Sequence, residues 1–320
     1  MTLDFIICQS HFLIYFVSLQ KIFNMVIIGK KYGRLANRLW MFSYFISNSI
    51  EYNYKLVYRN FDEYINHFES TGKNKFLGYN IKTRLSQFIV LDYLLYWTSQ
   101  LWIEIIQKWK PTGKSYKVYK IKKTGNGFDL NDSNFVNDAL TKKVIIRDGG
   151  LFYRDNKNLV NHSEKLKFIF TPLKKYQTNI LKLIRPIKEK NKLLIGVHLR
   201  KYDFRRFLGG KYFFHDSVYL SNMKILEEHF GENVCFLLCS DEPINKNYFK
   251  STDFIVGSGH FIEDLYSFAQ CDYLIGPPSS FTLWASFYGN VPLTFISPES
   301  KKINLSTFNI ANKIDIIYEV

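Results

Sequence analysis

Leu193-Leu-Ile-Gly-Val-His-Leu-Arg-Lys-Tyr-Asp203 is the stretch that decides the fold. Leu193, Leu194, Ile195 and Val197 surround Gly196 in a short apolar run. Such a run suits a strand buried on both faces of a parallel sheet. His198, Arg200, Lys201 and Asp203 follow where the run stops. Open α/β sheets bind ligands at the carboxyl ends of their strands, so charge that begins at a buried strand's end marks a candidate site. Arg200 would stand at the strand mouth with its planar guanidinium able to grip an anion through two parallel hydrogen bonds. Taken alone, the stretch is better read as an ordinary strand ending in a solvated turn.

The flanking sequence favours the sheet. A helix is expected over Ser217–Glu228, and a strand over Val234–Leu238 that ends in Cys239-Ser-Asp-Glu-Pro243. A short strand follows at Phe254–Val256. Ile262–Gln270 is expected as a helix, with Glu263 and Asp264 in its first turn, where the helix dipole favours acids. Tyr273–Gly276 is strand-like, Pro277-Pro-Ser-Ser-Phe281 opens a helix, and Val291–Ile296 is a last strand. Strands alternating with helices of this length mean βαβ units and a parallel sheet. Three strands then end in polar residues: His198 with Arg200, Ser240 with Asp241, and Ser279 with Ser280. In a parallel sheet these ends gather on one edge.

The first half is less regular. Met25-Val-Ile-Ile-Gly29 reads as a first strand. Gly33-Arg-Leu-Ala-Asn37 is a strand-to-helix turn, since Leu35, Leu39, Phe42, Phe45 and Ile46 recur at helical spacing. Free N–H groups at such a helix start can receive a phosphate or a sugar. Residues 52–60 read as a second strand, and Val144–Ile146 as another. An aromatic helical patch from Leu85 to Trp109 is expected as core, and residues 122–137 as loops. Asn161–Lys190 reads as helix and linker broken by Pro172 and Pro186. The domain boundary is expected near residue 188, giving domains of 25–188 and 189–320. Residues 1–24 are apolar but interrupted by Asp4, Gln9, Ser10 and His11. Their clean apolar runs are far short of the ~20 residues a membrane span takes. They are expected to be an extension ahead of a natural start at Met25, or an amphipathic anchor lying on a membrane.

Composition narrows the chemistry. The 320 residues carry a formal net charge of +15, with 47% hydrophobic and 22% charged residues, which is globular rather than disordered. Zinc-finger spacing and RNP-like aromatic signatures are missing, so sequence-specific nucleic-acid reading is not expected. A diffuse positive field suits a phosphorylated substrate or an anionic membrane face. Cys235 and Cys239 are too far apart along one strand for a disulfide. With Cys8 and Cys271 they are expected as reduced residues of a cytoplasmic protein.

Five blocks together resemble the α1,2-fucosyltransferases of glycosyltransferase family 11, and more distantly the α1,6- and protein O-fucosyltransferases. They are Gly33-Arg-Leu-Ala-Asn-Arg-Leu39, His198-Leu-Arg-Lys-Tyr-Asp203, Ser240-Asp-Glu-Pro243, Glu263-Asp-Leu-Tyr-Ser-Phe-Ala-Gln-Cys-Asp272 and Ser279-Ser-Phe-Thr-Leu-Trp-Ala-Ser-Phe287, in family order over residues 25–295. Lys201 stands where the family's hallmark has a second arginine, and a lysine cannot reproduce a guanidinium fork. Ala36 and Arg38 also depart from the family's glycine-rich turn.

The resemblance implies a GT-B architecture, two Rossmann-like domains facing each other across a cleft. It implies an inverting glycosyltransferase that takes GDP-fucose, needs no metal or other cofactor, and acts on a glycan hydroxyl in surface polysaccharide (O-antigen or capsule) synthesis. The absence of any D-x-D triplet agrees with metal independence. On this resemblance Arg200 is the catalytic residue that clamps the β-phosphate and assists departure of GDP. His198 would contact the guanine or ribose side, Asp203 would orient Arg200, and Asp264 would pair with guanine N–H groups. Ser279, Ser280 and the backbone of Phe281 would cradle phosphate. Gly33, Arg34 and Asn37 would face the donor, joined by Lys201 and by Asp241 as a ribose contact. Each has an ordinary structural alternative: a core histidine, a turn Asp, a helix-dipole Asp, a serine N-cap. Two other functions stay open: a GT-B enzyme using another nucleotide sugar, and a basic non-catalytic protein binding membrane lipid or nucleic acid. The expected setting is cytoplasmic, peripheral to an inner membrane face, with an acceptor that is lipid-linked.

Overall fold

The computed structural model describes residues 24–72, 75–84, 86, 88–109, 115–121, 127–147, 150–231 and 233–314. The proposed extension therefore lies, but for Asn24, outside the described residues. The chain forms two compact units, Met1–Thr171 and Pro172–Val320.

The first unit is built on a five-stranded parallel sheet. Its strands are β1 (Met25–Ile28), β2 (Lys55–Val57), β3 (Ile81–Lys82), β4 (Tyr116–Tyr119) and β6 (Lys143–Ile146), in the order β3-β2-β1-β6-β4. A two-stranded parallel pair, β5 (Phe128–Asp129) with β7 (Tyr153–Arg154), lies apart from it. Helix α1 (Leu35–Tyr52) follows β1 and is the spine of this unit, with Leu39, Trp40, Phe42, Phe45 and Ile46 fully buried. It stops at Asn53, whose left-handed backbone (φ 56°, ψ 46°) cannot continue the turn. The aromatic excess has a structural use here. The Phe61 ring lies 4.9 Å from Phe42, 6.2 Å from Phe68 and 5.7 Å from Phe170, so rings from distant segments fill one core.

Two expectations fail in this unit. The patch from Leu85 to Trp109 is helical, as α2 (Ile89–Trp109), but Ile89, Val90, Leu91, Leu94, Leu95, Trp97 and Leu101 are exposed rather than forming core. The stretch expected as loops contains β5 and the start of α3 (Ser133–Thr141), which Asp132 caps by accepting the Phe135 N–H at 3.0 Å. The unit closes with α4 (Asn156–Asn161) and α5 (Ser163–Ile169).

The second unit begins at Pro172 rather than at residue 189, and its first helix is α6 (Lys174–Lys188). Its Tyr176, Ile180, Ile184 and Ile187 form a buried stripe. The helix packs on the segments Leu193–Leu199 and Phe261–Phe268, which ties it to the second unit. Pro186 does not break it, because a proline in the last turn removes only one intrahelical bond. The sheet then runs through β8 (Leu193–Leu199), β9 (Val234–Ser240), β10 (Phe254–Val256), β11 (Tyr273–Gly276) and β12 (Leu293–Phe295). All five are parallel, in the order β10-β9-β8-β11-β12. Between them lie α7 (Asp216–Phe230), α8 (Phe261–Phe268) and α9 (Ser280–Gly289). On one face Ile195, Val197, Phe236 and Ile275 pack with Tyr219, Met223 and Leu226 of α7. On the other, Gly196 lets helix and strand close up. A Cβ there would lie 2.5 Å from Leu274 and 2.6 Å from Phe268, so only glycine admits both side chains.

Candidate functional site

The strand order of the second unit reverses beside β8. The chain runs from β8 outward through β9 to β10, then returns to the other side of β8 for β11 and β12. Open parallel sheets hold their ligands at this switch point, outside the carboxyl ends of the two strands that flank it. Here those ends carry His198 to Asp203 after β8 and Pro277 to Phe281 after β11.

Arg200 is the centre of the arrangement. Its Nη2 donates to Asp203 Oδ2 at 2.6 Å, and its Nε lies 3.3 Å from Asp241 Oδ2 without hydrogen-bond alignment. The guanidinium also stands over the Phe204 ring, 5.6 Å from its centroid. Its Nη1 makes no hydrogen bond among the described residues. Asp241 comes from the end of the neighbouring strand β9, and its Oδ1 accepts the backbone N–H groups of Lys201 (2.8 Å) and Tyr202 (3.3 Å). One carboxylate thus fixes the loop after β8 and faces the cation that the loop carries.

His198 is 4% exposed, on the last turn of the strand before Arg200. Its ring lies 5.3 Å from Phe281 and 5.9 Å from Phe268. Burial, helped by the Arg200 charge, pushes its pKa down to about 3, so the ring is neutral at physiological pH. Four buried polar atoms at this one strand mouth lack a hydrogen-bond partner among the described residues: His198 Nδ1, Arg200 Nε, Asp203 Oδ1 and Asp241 Oδ2. Buried polar groups are nearly always satisfied, so a cluster of exceptions calls for a ligand or a strained function.

Lys201 points elsewhere. Its Nζ pairs with Asp216 Oδ1 in the first turn of α7, where the helix dipole also favours the acid. Ser279 is the N-cap of α9, accepting the Phe281 N–H at 3.2 Å, and Ser280 begins the helix. The start of that helix faces the His198 ring through Phe281. Asp264 is 6% exposed and lies at the same sheet edge, beyond β9 and β10. Its Oδ1 accepts the Gly259 N–H at 3.2 Å, and the Cys239 thiol is a further partner. Burial raises its pKa to about 6, against the pull of the Gly259 and Ser258 N–H groups.

The turn of the first unit has its own logic. Gly33 has φ 58°, and a Cβ there would collide with the Asn37 side chain, which folds back over it. Arg34 is exposed at the N-cap position of α1. The residue that organises the turn is Arg38, which is 1% exposed. Its Nε and Nη2 donate to the Gly33 carbonyl at 3.1 and 2.9 Å, and its Nη1 to the Asn60 carbonyl (2.7 Å) and Glu63 (2.5 Å). The guanidinium also lies over Tyr64.

Of the residues expected in a site, His198, Arg200, Asp203, Asp241 and Phe281 are brought together. Asp264, Ser279 and Ser280 share their sheet edge, Lys201 is turned toward α7, and Gly33, Arg34 and Asn37 form a separate turn in the first unit. Sequence reasoning missed Arg38 and Asp216. An arginine one turn into an otherwise apolar helix face, between Ala36 and Trp40, was the available signal for the first. The departure that Arg38 makes from the family turn is the residue that holds this turn in shape.

No family model matches the chain, and no curated protein matches it. Solved structures do. An Arabidopsis thaliana FUT1 mutant in complex with GDP is 13% identical with a TM-score of 0.56, covering 91% of this chain and 74% of that one. POFUT1 in complex with GDP is 13% identical with a TM-score of 0.52, covering 86% and 99%. The fucosyltransferase NodZ from Bradyrhizobium is 16% identical with a TM-score of 0.50, covering 89% and 96%. The likeness is one of fold: this chain has the α/β architecture, with parallel sheets and flanking helices, of GT-B fucosyltransferase structures.

Proposed function

We propose that the chain is an inverting glycosyltransferase that moves fucose from GDP-fucose to a hydroxyl of a glycan acceptor. The reading rests on one observation above the others: Arg200 and its two carboxylates stand at the switch point of a parallel sheet, where His198 Nδ1 and Asp203 Oδ1 are buried without a hydrogen bond among the described residues and the Arg200 Nε–Asp241 Oδ2 pair lacks hydrogen-bond alignment. The fold likeness to proteins solved with GDP and with GDP-fucose adds the donor class.

In this reaction the acceptor oxygen forms a bond to C1 of fucose as the bond from C1 to the β-phosphate oxygen breaks. The electron pair leaves with GDP, and the proton of the acceptor hydroxyl passes to the departing diphosphate and from there to solvent. Negative charge therefore grows on the leaving diphosphate. Arg200 is the group to meet it, held in place beforehand by Asp203 and Asp241, so little reorganisation accompanies the bond breaking. Neutral His198 contributes a hydrogen bond from Nδ1 rather than charge, and the start of α9 offers N–H groups to phosphate. At pH 7 Asp264 is mostly ionised and able to accept N–H groups of a guanine. Catalysis in this scheme uses no metal. We assign an α1,2 linkage, a role in surface polysaccharide assembly and a lipid-linked acceptor at the cytoplasmic face of a membrane to the same reading.

Calorimetry with GDP, GDP-fucose and UDP tests the donor. Binding of the two guanosine ligands without UDP supports the proposal. A preference for UDP overturns it in favour of another nucleotide sugar in the same scaffold, the reading that Lys201 in place of an arginine favours.

A further inference from the structure

Helix α2 is inverted relative to a helix of a water-soluble domain. The acid of its first turn, Asp92, is 2% exposed and paired with Arg59 at 3.2 Å. Tyr96 turns the same way, its hydroxyl 3.3 Å from Asn60 Oδ1 and its ring under the Arg59 guanidinium. The opposite side is apolar and bare: Val90 is 74% exposed, Leu94 54%, Trp97 55% and Leu101 62%. Polar groups hold the helix to the protein, and its apolar stripe faces out. Surface helices normally show the reverse, and contiguous apolar surface on this scale marks an interaction site.

We infer that the outer face of α2 seats the protein on a membrane surface rich in anionic lipid. Composition and charge select this occupant. Tyr93 and Trp97 among aliphatic residues are the mixture that settles at a headgroup boundary. The sequence then supplies seven lysines from Lys108 to Lys123, with no acidic residue from Ile105 to Phe128. Apolar anchors followed in sequence by a lysine run give the two signals that stable peripheral attachment takes. Among the described residues no helix is long and apolar enough to cross a membrane, so α2 would lie in the interface plane. The inference deepens the membrane setting proposed above, but it does not depend on the donor.

The test is flotation of the full chain with vesicles of phosphatidylcholine, alone or mixed with phosphatidylglycerol. The expected result is co-flotation with the anionic vesicles, reduced by salt. Leu94→Glu with Trp97→Glu should lower that partition at least about tenfold, whereas Trp97→Phe should retain it. Both positions are exposed, and GDP affinity measured on the same samples reports separately on the donor site. Wild type that stays with neither vesicle overturns the inference, as does a double variant that floats like wild type. Conversion of a dimer to a monomer by the double variant, with vesicle partition unmoved, assigns the face to a second copy instead.

Discussion

Asp241 Oδ2 stands 3.3 Å from the Nε of Arg200, across from the adjacent parallel strand. The other oxygen of the same carboxylate accepts the Lys201 and Tyr202 N–H groups. Asp241 is thus a positioning residue for the guanidinium. Asp241→Asn keeps the size and an acceptor but removes the charge. Small misplacements of a catalytic group can cost about 10²-fold, so a fall of ~10- to 100-fold in kcat with a smaller change in KM is expected. Steady-state kinetics with GDP-fucose checks it; unchanged kcat would remove Asp241 from the mechanism.

Arg200→Ala should reduce turnover by on the order of 10²–10³-fold. Arg200→Lys should recover little, because an ammonium cannot satisfy Asp203 and Asp241 and still present a planar edge to a diphosphate. The measurement is turnover beside GDP affinity for both variants. Full activity in the alanine variant rules out the leaving-group role.

His198 and Asp264 tilt the pH dependence of stability in opposite directions. His198 is held at about 3 by burial, well below its unfolded value near 6.5. Between those values only the unfolded chain binds the proton, so its contribution is complete above about pH 6.5 and is lost as pH falls. Asp264 is raised to about 6 by burial. From roughly pH 4 to that value the folded chain holds a proton that the unfolded chain releases, so its contribution falls as pH rises. Asp264→Asn should therefore make stability climb more steeply between about pH 4 and pH 6 than in wild type, and His198→Gln should flatten it. Urea unfolding across that range reads both slopes.

Arg38→Met should destabilise the first unit. It leaves the Gly33 and Asn60 carbonyls without their buried donor and strips Glu63 of its nearest cation. A loss of about 2–4 kcal/mol is expected, measured by urea unfolding. A change below 0.5 kcal/mol, within the range of ordinary surface substitutions, would mean the turn holds without it.

Much of the second unit was legible in the sequence. Buried parallel strands are uninterrupted apolar runs, and Leu193–Leu199, Phe254–Val256 and Tyr273–Gly276 need no partner to be recognised. The polar residues Arg200 and Asp203 after Leu199, and Asp241 after Ser240, are likewise visible as the ends of apolar runs. The first unit was harder to read, because its strands are two to four residues long and its core is made of rings contributed by Phe42, Phe61, Phe68 and Phe170, far apart in sequence. An apolar aromatic helix also reads the same whether it is buried or bare, so α2 passed for core. The boundary was displaced for a similar reason: the amphipathic pattern of α6 shows that it packs, but not on which sheet.

The sequence by itself determined the elements and the chemistry available at their ends, because helix and strand periodicity and strand-end charge are local properties of the chain. Only the tertiary structure decided which charges meet. Strand order places Asp241 beside Arg200, and the packing within each unit turns Lys201 toward Asp216 and brings the Asn60 carbonyl and Glu63 to Arg38. It also decides that Asp92 faces in while Trp97 faces out. Such pairings depend on the relative placement of segments separated by many residues, and on burial, which no local pattern contains.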